Sequence, residues 1–371
     1  MKISLTKETW LKPLQSAVGI ADKKQIKPIL SYLLVTLKGQ KLTLVSTDTE
    51  IELRSTIISS DLLDDQVQFT VPGRKLLDIC RSLPDGAPIE LTVKENAVIV
   101  GSGRSKFTLS SLPVSEFPKM PEQQWQTSLE VGSDVLNTLI SKTCFVIPLQ
   151  DVRQYLNGLL LEVRGDLIRA LATDGHRLAV YQHRLPNAKA DTSSQVIVPR
   201  KTVLELAKLL SAVESSLTID FNDNFLRVRG ASFEVTSNLI SGRFPGSDKI
   251  IPVKGSGVVE VEREELRLAV ARVGILSGDL FRGINFKISP SLLMLDASNS
   301  QREEATEELP INYRGADLEI TFNLGYIADI LSAMEGSSVK VFFDKADSGV
   351  VWEEELPGYP GSLYVVMPIR K

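Results

Sequence analysis

The polar and apolar positions of this chain change period along its length, and they do so three times in the same order. Trp10, Leu11, Leu14 and Val18 recur at the spacing of one helix face. Stretches that alternate follow: "KLTLVS" (41–46), "AVIVGS" (97–102) and "KFTLSS" (106–111), separated by Gly, Asn, Asp and Pro. That pattern predicts short half-buried strands. Val135, Leu136, Leu139 and Ile140 open a second round, with "LIRALA", "FLRVRG" and "SFEVTS" after it. Leu266, Val270 and Val273 open a third, with "LEITFN".

Inside each round a second helix start recurs. Val71-Pro72-Gly73-Arg74-Lys75-Leu76 matches Val198-Pro199-Arg200-Lys201, and more weakly Phe322-Asn323-Leu324-Gly325-Tyr326. Each leads into a helical stretch and then an alternating strand: "APIELTV", "SSLTIDF" and "SSVKVFF". Thr47-Asp48 matches Thr173-Asp174 and Ser298-Asn299; Phe107 matches Phe233; Phe117-Pro118 matches Phe244-Pro245. Several landmarks agreeing at one offset predict three homologous domains of about 125 residues. We place them at 1–125, 126–253 and 254–371, with joints near "PKMPEQQ" (118–124) and "PVKGSG" (252–257). Each is expected to be α+β, with two helices packed on antiparallel sheets.

Composition narrows the class. At 43% hydrophobic and 24% charged residues the chain reads as folded, not disordered. Its apolar runs are too short for a membrane-spanning helix, and "MKISLTKETW" lacks the apolar core of a signal peptide, so a cytoplasmic setting is expected. Cys80 and Cys144, each among apolar residues, read as buried free thiols. The net charge of −4 gives no bulk signature of nucleic-acid binding, so any such role needs uneven charge.

The charge is uneven. Pro72 and Pro199 read as lying near the first helical position, yet Arg74-Lys75 and Arg200-Lys201 follow at once. Cations at the positive end of a helix are each unfavourable by up to about 1 kcal/mol, and a rule broken twice points to an anion contact such as phosphate. Solvated surface cations are the alternative. Lys7, Lys12, Lys23, Lys24, Lys27, Lys142, Lys208, Arg267 and Arg272 add to a basic helical face. Acids gather elsewhere, as in "DLLDD" (61–65) and "EEATEE" (303–308). Gly103 to Phe107 reads as a basic edge strand and Glu303 to Glu308 as an acidic one. Opposite edges of this kind can pair between two copies and close a two-fold ring.

"TDGHRLAV" (173–180) holds one of only two histidines and invites an active-site reading on Asp174 and His176. No GxxxxGK[ST], HExxH, GxSxG or CxxC pattern occurs, and His176 and His183 lie in a strand-like region. Thr47-Asp48 occupies the same place in the first repeat without a histidine, which makes the Thr-Asp pair a structural turn. A hydrolase and a scaffold without DNA remain as alternatives, and no metal or cofactor is expected.

In order along the chain, "VPGRKLLDICRSLPDG" (71–86), "GSGRSKFTLSSLP" (101–113), "QDVRQYLNGLL" (150–160), "ATDGHRLAV" (172–180), "IVPRK" (197–201), "GRFP" (242–245) and "YVVMPIR" (364–370) resemble the bacterial sliding clamp family, the β subunits of DNA polymerase III, over essentially the whole chain. The resemblance implies a head-to-tail homodimeric ring with helices lining the hole. It implies duplex DNA threaded without base readout, a tethered replicative polymerase, a separate clamp loader and no catalysis. It implies a partner-peptide cleft of Arg153, Leu156, Thr173, Gly175, His176, Arg177, Leu178, Pro245, Ile250, Asn323, Tyr326, Ser348, Val365, Met367, Pro368 and Ile369. DNA-facing residues would be Lys24, Arg74, Gln150, Tyr155, Arg200 and Lys201. Interface residues would be Lys75, Arg104, Lys106, Phe107, Ile275, Leu276, Glu303 and Glu304. Gln154, Lys249 and Ile369 depart from residues common in the family.

Overall fold

The computed structural model describes all residues except 1, 22–26, 63–65, 186–192, 212–215, 279–281, 355–360 and 370–371. Lys24 and the side chain of Lys249 lie outside the described residues. The helices are α1 (Lys7–Ile20), α2 (Gly73–Ser82), α3 (Ser133–Ser141), α4 (Arg200–Leu210), the single turn α5 (Ser247–Ile250), α6 (Arg263–Val273) and α7 (Leu324–Ala333). Setting α5 aside, each repeat contributes two. Among the described residues no helix is long and apolar enough to cross a membrane.

The chain divides into two compact units. The first comprises residues 1–134 and 204–239. Its four-stranded antiparallel sheet runs Lys2–Thr6, Pro88–Val93, Ala97–Ser102, Ser105–Ser110. Its eight-stranded sheet joins Gln66–Pro72, Tyr32–Lys38, Lys41–Thr47 and Ile51–Ile58 of the first repeat to Phe233–Asn238, Phe225–Arg229, Ser216–Phe221 and Thr127–Gly132 of the second. The seam pairs Val235 with Leu53 and Ser237 with Ile51. Trp10, Leu14, Ala17 and Val18 of α1 and Leu76, Leu77 and Cys80 of α2 bury one stripe each against these strands.

The second unit comprises residues 135–203 and 240–371. Its eight-stranded sheet runs Ser193–Pro199, Gly158–Arg164, Leu167–Thr173, Arg177–Arg184, then Leu363–Val366, Val350–Glu354, Ser338–Phe343 and Gly257–Glu262 of the third repeat. Leu178 pairs with Val365 across its seam. Its four-stranded sheet is Glu304–Pro310, Leu292–Ser298, Gly283–Ser289, Leu318–Asn323. The basic strand Ser105–Ser110 and the acidic strand Glu304–Pro310 are both sheet edges.

Two expectations about the helix starts need correction. Pro72 is the last residue of a strand, in extended geometry and paired with Tyr32, so it precedes the helix instead of occupying its first position; Pro199 likewise ends a strand. The Arg-Lys pairs therefore differ in phase by one residue, because α2 begins at Gly73 and α4 at Arg200. One residue turns a side chain about 100° around the helix. Arg74 is exposed and bonds Asp78 at 3.2 Å, whereas the Arg200 guanidinium turns inward to the Ile147 carbonyl at 3.3 Å. Lys142 also leaves the basic face assigned to it, since its side chain is 1% exposed.

A candidate peptide cleft beside a recurring turn

The Thr-Asp turn is built by its own side chains. Asp174 Oδ1 accepts the N–H groups of His176 and Arg177, both at 2.9 Å, and Thr173 Oγ1 accepts that of Gly175 at 3.1 Å. In the first repeat Asp48 Oδ1 accepts from Glu50 and Ile51 at 2.8 Å, and Thr47 Oγ1 from Thr49 at 3.0 Å. In the third, Asn299 Oδ1 accepts from Gln301 and Glu303 at 3.0 Å. The Asp174 carboxylate is occupied by architecture common to all three repeats. Gly175 takes φ 90°, a left-handed value that Thr49 also holds at 82°.

Two arginines brace this turn. Arg153 grips Asp151 with Nε at 3.0 Å and Nη2 at 2.9 Å, and Nη2 also donates to the Asp174 carbonyl at 3.3 Å. The guanidinium hydrogen bond and the Arg153 N–H hold the Asp151 carboxyl down at about 2. A Cβ on Gly175 would stand 2.8 Å from Arg153 Nη2. Gly175→Ala is therefore expected to cost about 1 kcal/mol and to displace Arg153. A thermal melt alongside a crystal structure of the variant checks both.

Arg177 is 11% exposed. It bonds Asp174 Oδ2 at 3.0 Å, Asp329 Oδ2 at 2.6 Å and the Phe145 carbonyl at 3.2 Å. Its guanidinium carbon lies 4.4 Å from the Tyr326 ring centroid and 5.6 Å from that of Phe145. Its donors are committed to the protein, so it fixes the wall of the site instead of offering a free charge. Burial pushes the Tyr326 phenol up, the Asp174 carboxylate adds to this, and Arg177 opposes it.

Beyond the turn lies a cavity of about 240 Å³ lined by Arg153, Tyr155, Leu156, Thr173, Gly175, His176, Arg177, Leu178, Pro245, Ile250, Val365 and Met367. Its floor belongs to an apolar cluster with Leu156, Leu178, Val365 and Phe244 buried. Met367 stands at the mouth, 40% exposed, tethered by its N–H to the His176 carbonyl at 2.9 Å. An apolar trough with a flexible thioether at the rim suits a short peptide with apolar anchors.

Eleven of the cleft residues named from sequence line this cavity, and five do not. Asn323 caps α7, accepting the Tyr326 N–H at 3.3 Å. Tyr326 touches the site through Arg177. Ser348 closes a turn on the Lys345 carbonyl. Ile369 bonds the Thr321 carbonyl through its N–H at 2.8 Å and, with Pro368, lies outside the lining. Tyr155 moves the other way: expected to face DNA, it lines the cleft, with its ring edge-on to Phe244 at 6.1 Å. The short helical turn Gln154–Leu156 sends Tyr155 and Leu156 to the same trough. Phe145 and Asp329, which hold Arg177, carried no sequence signal, because their importance arises only from who their neighbours are.

Among the other named residues, Gln150, Arg74 and Lys75 are exposed, and Lys201 is half-buried. On the basic edge Arg104 and Lys106 are exposed, while Phe107 packs partly against the core. On the acidic edge Glu303 and Glu304 are exposed, and Glu307 is paired with Arg272. The turn Gly274–Leu276 leaves Ile275 77% exposed beside Leu276, an apolar patch next to that edge.

Three family descriptions match the chain end to end: DNA polymerase III beta subunit, N-terminal domain, over residues 1–121; central domain, over 130–246; C-terminal domain, over 248–370. A beta sliding clamp of Pseudomonas putida is 40% identical over the full length of both chains, and that of Escherichia coli K12 is 37% identical over the same extent. The crystal structure of a sliding clamp from Pseudomonas aeruginosa bound to griselimycin superposes with TM-score 0.96 at 39% identity, covering all of both chains.

Proposed function

We propose a role that proceeds from one premise: the chain belongs to the DNA polymerase III beta subunit family, the bacterial sliding clamps, and is a non-catalytic clamp. Two copies pair head to tail, the basic edge Ser105–Ser110 of one against the acidic edge Glu304–Pro310 of the other, with Ile275 and Leu276 beside the seam. The ring so closed encircles duplex DNA and tethers the replicative polymerase, and a clamp loader opens it. The three domains are those read from the repeat, 1–125, 126–253 and 254–371. Arg74, Gln150 and Lys201 supply weak, movable phosphate contacts, suited to a protein that must slide. The clamp's partners, polymerase and loader included, insert a short apolar peptide into the cleft.

The observation that carries this reading is the trough that gathers Leu156, Leu178, Pro245, Ile250, Val365 and Met367 from four separate stretches of sequence. Loading on a nicked circle tests it. The protein is expected at twice the chain mass, retained on the circle, and released when the circle is linearised. Direct binding to linear duplex should fall as salt rises, whereas retention on the circle should not, because a linked ring is held by topology and not by phosphate contacts. A monomeric mass at micromolar concentration, or retention indifferent to linearisation, would sink the ring.

A further inference from the structure

The first domain has a cavity at the place that the second fills with its own chain. It measures about 280 Å³ and is lined by Leu34, Thr36, Thr43, Val45, Glu52, Arg54, Gln68, Phe117 and Lys119. The repeat register sets Leu34, Val45, Arg54 and Phe117 against Leu160, Leu171, Val180 and Phe244. Those four belong to one cluster in the second domain, and Ile250 and Ile251 pack on it. A carboxylate arrives with them: Asp248 bonds Arg164 at 2.8 Å and Arg169 through two N–H groups at 2.9 Å. Arg169 in turn bonds the buried Glu162 at 2.6 Å. An acid followed two residues later by an isoleucine thus plugs this place from within.

The first domain cannot supply that plug. Counting from Phe117-Pro118 and Phe244-Pro245, the positions of Asp248 and Ile250 are held by Pro121 and Gln123. Proline brings no charge, and the Gln123 side-chain oxygen is drawn away to Asn222 at 3.3 Å. The receiving positions differ, with Lys38, Thr43 and Thr36 where the second repeat has Arg164, Arg169 and Glu162, and the first domain brings a cation from Arg54 instead. Glu52 is 2% exposed and accepts Arg54 Nε at 2.7 Å, Glu234 Oε1 stands 3.8 Å from the same nitrogen, and the other two nitrogens of that guanidinium, 45% exposed, stay at the rim. Lys119 is exposed there and makes no ion pair among the described residues. The floor of Leu34, Val45 and Phe117 is apolar.

We propose that this cavity is a second peptide pocket, which takes from another protein a segment with an acidic residue two positions before a branched apolar one. The carboxylate meets Arg54 and Lys119, and the apolar side chain covers Leu34, Val45 and Phe117. The site is independent of the cleft and of the ring.

The test is methyl NMR of the full-length protein titrated with acetyl-Gly-Ser-Asp-Lys-Ile-Ile-amide, the sequence of residues 246–251. Saturable shifts are expected at the Leu34 and Val45 methyls, with a dissociation constant of about 1 mM, as befits a six-residue segment without pre-organisation. Asn in place of Asp in the peptide, or Lys119→Glu in the protein, should each weaken binding roughly threefold. Lys119 is exposed, so that variant tests the contact without threatening the fold. Silent Leu34 and Val45 methyls, shifts confined to Leu178 and Val365, or indifference to both charge changes would each overturn the proposal. An apolar clamp-motif peptide added to the same sample reports the cleft separately, so failure here leaves the cleft reading standing.

Discussion

Glu354→Ala is expected to destabilise the unit that contains it by about 3–5 kcal/mol, read as a lower urea midpoint. Glu354 is wholly buried at the end of a third-repeat strand, and Lys142, equally buried, follows α3 of the second. Their ion pair measures 3.1 Å, and Lys142 also donates to the Ala333 carbonyl at 2.7 Å. Glu354 further accepts the N–H groups of Glu335 and Gly336, at 2.5 and 2.8 Å, and the Ser362 hydroxyl. Removing the acid leaves the buried ammonium with only the Ala333 carbonyl and the exposed Glu335 carboxylate, 3.3 Å away, and leaves three other donors unpaired together. Lys142→Met should cost less, roughly 1–2 kcal/mol, because the carboxylate keeps its other donors. The asymmetry between the two variants is the sharper check, since a simple pairwise ion pair would give equal losses. The effect depends on pH. Burial pushes the Glu354 carboxyl up, but the Ser362 hydroxyl, the two N–H groups and Lys142 outweigh it and leave the carboxyl below its ordinary value. A lowered folded value adds stability above the unfolded pKa and loses it as pH falls through the folded one. The gap between wild type and Glu354→Gln should therefore narrow below about pH 4.

Leu178→Glu is expected to weaken binding of an apolar clamp-motif peptide by about 100-fold or more, as loss of a central apolar anchor site does. The substitution imports the residue of the first repeat, where Glu52 holds the same place. There the buried acid is tolerated because Arg54 lies two residues on and bonds it at 2.7 Å. In the second repeat that position is Val180, buried, so the single variant should also lose several kcal/mol of stability, roughly 3 or more. Leu178→Glu with Val180→Arg supplies the partner. The double variant should recover most of the stability and none of the binding. Fluorescence anisotropy with a labelled peptide, beside urea denaturation of both variants, separates the two effects. Recovery of binding in the double variant would show that the trough does not work through its apolar floor.

The same comparison explains what could be read before the fold was known. The repeat, the helix pairs, the edge strands and the Thr-Asp turn are all local patterns of period and side-chain type, and each has a local cause. The helix-start cations do lie in the first turns of α2 and α4, but Gly73 has no counterpart in the second repeat, so the two pairs differ in phase and Arg200 turns inward. Lys142 looked like any surface lysine. Its burial depends on Glu354, more than two hundred residues away, so no local pattern could reveal it. Asn323, Ser348 and Ile369 follow from the resemblance and not from a local pattern, and their groups are spent on a cap, a turn and a backbone bond. Tyr155 was drawn into the trough by a single turn of helix.

The sheets that cross the repeat boundaries have one more consequence. The unit that was duplicated is not the unit that can stand alone. Cut free at its joint, the first repeat would present the Ile51–Ser55 edge that Phe233–Ser237 now pairs, and bare strand edges recruit other chains. A single nick in residues 118–124 would sever the covalent joint but not this pairing, so the two pieces should remain zipped together. Continuity of the protein across its first joint is thus written twice, once in the peptide bond and once in the hydrogen-bond ladder beside it.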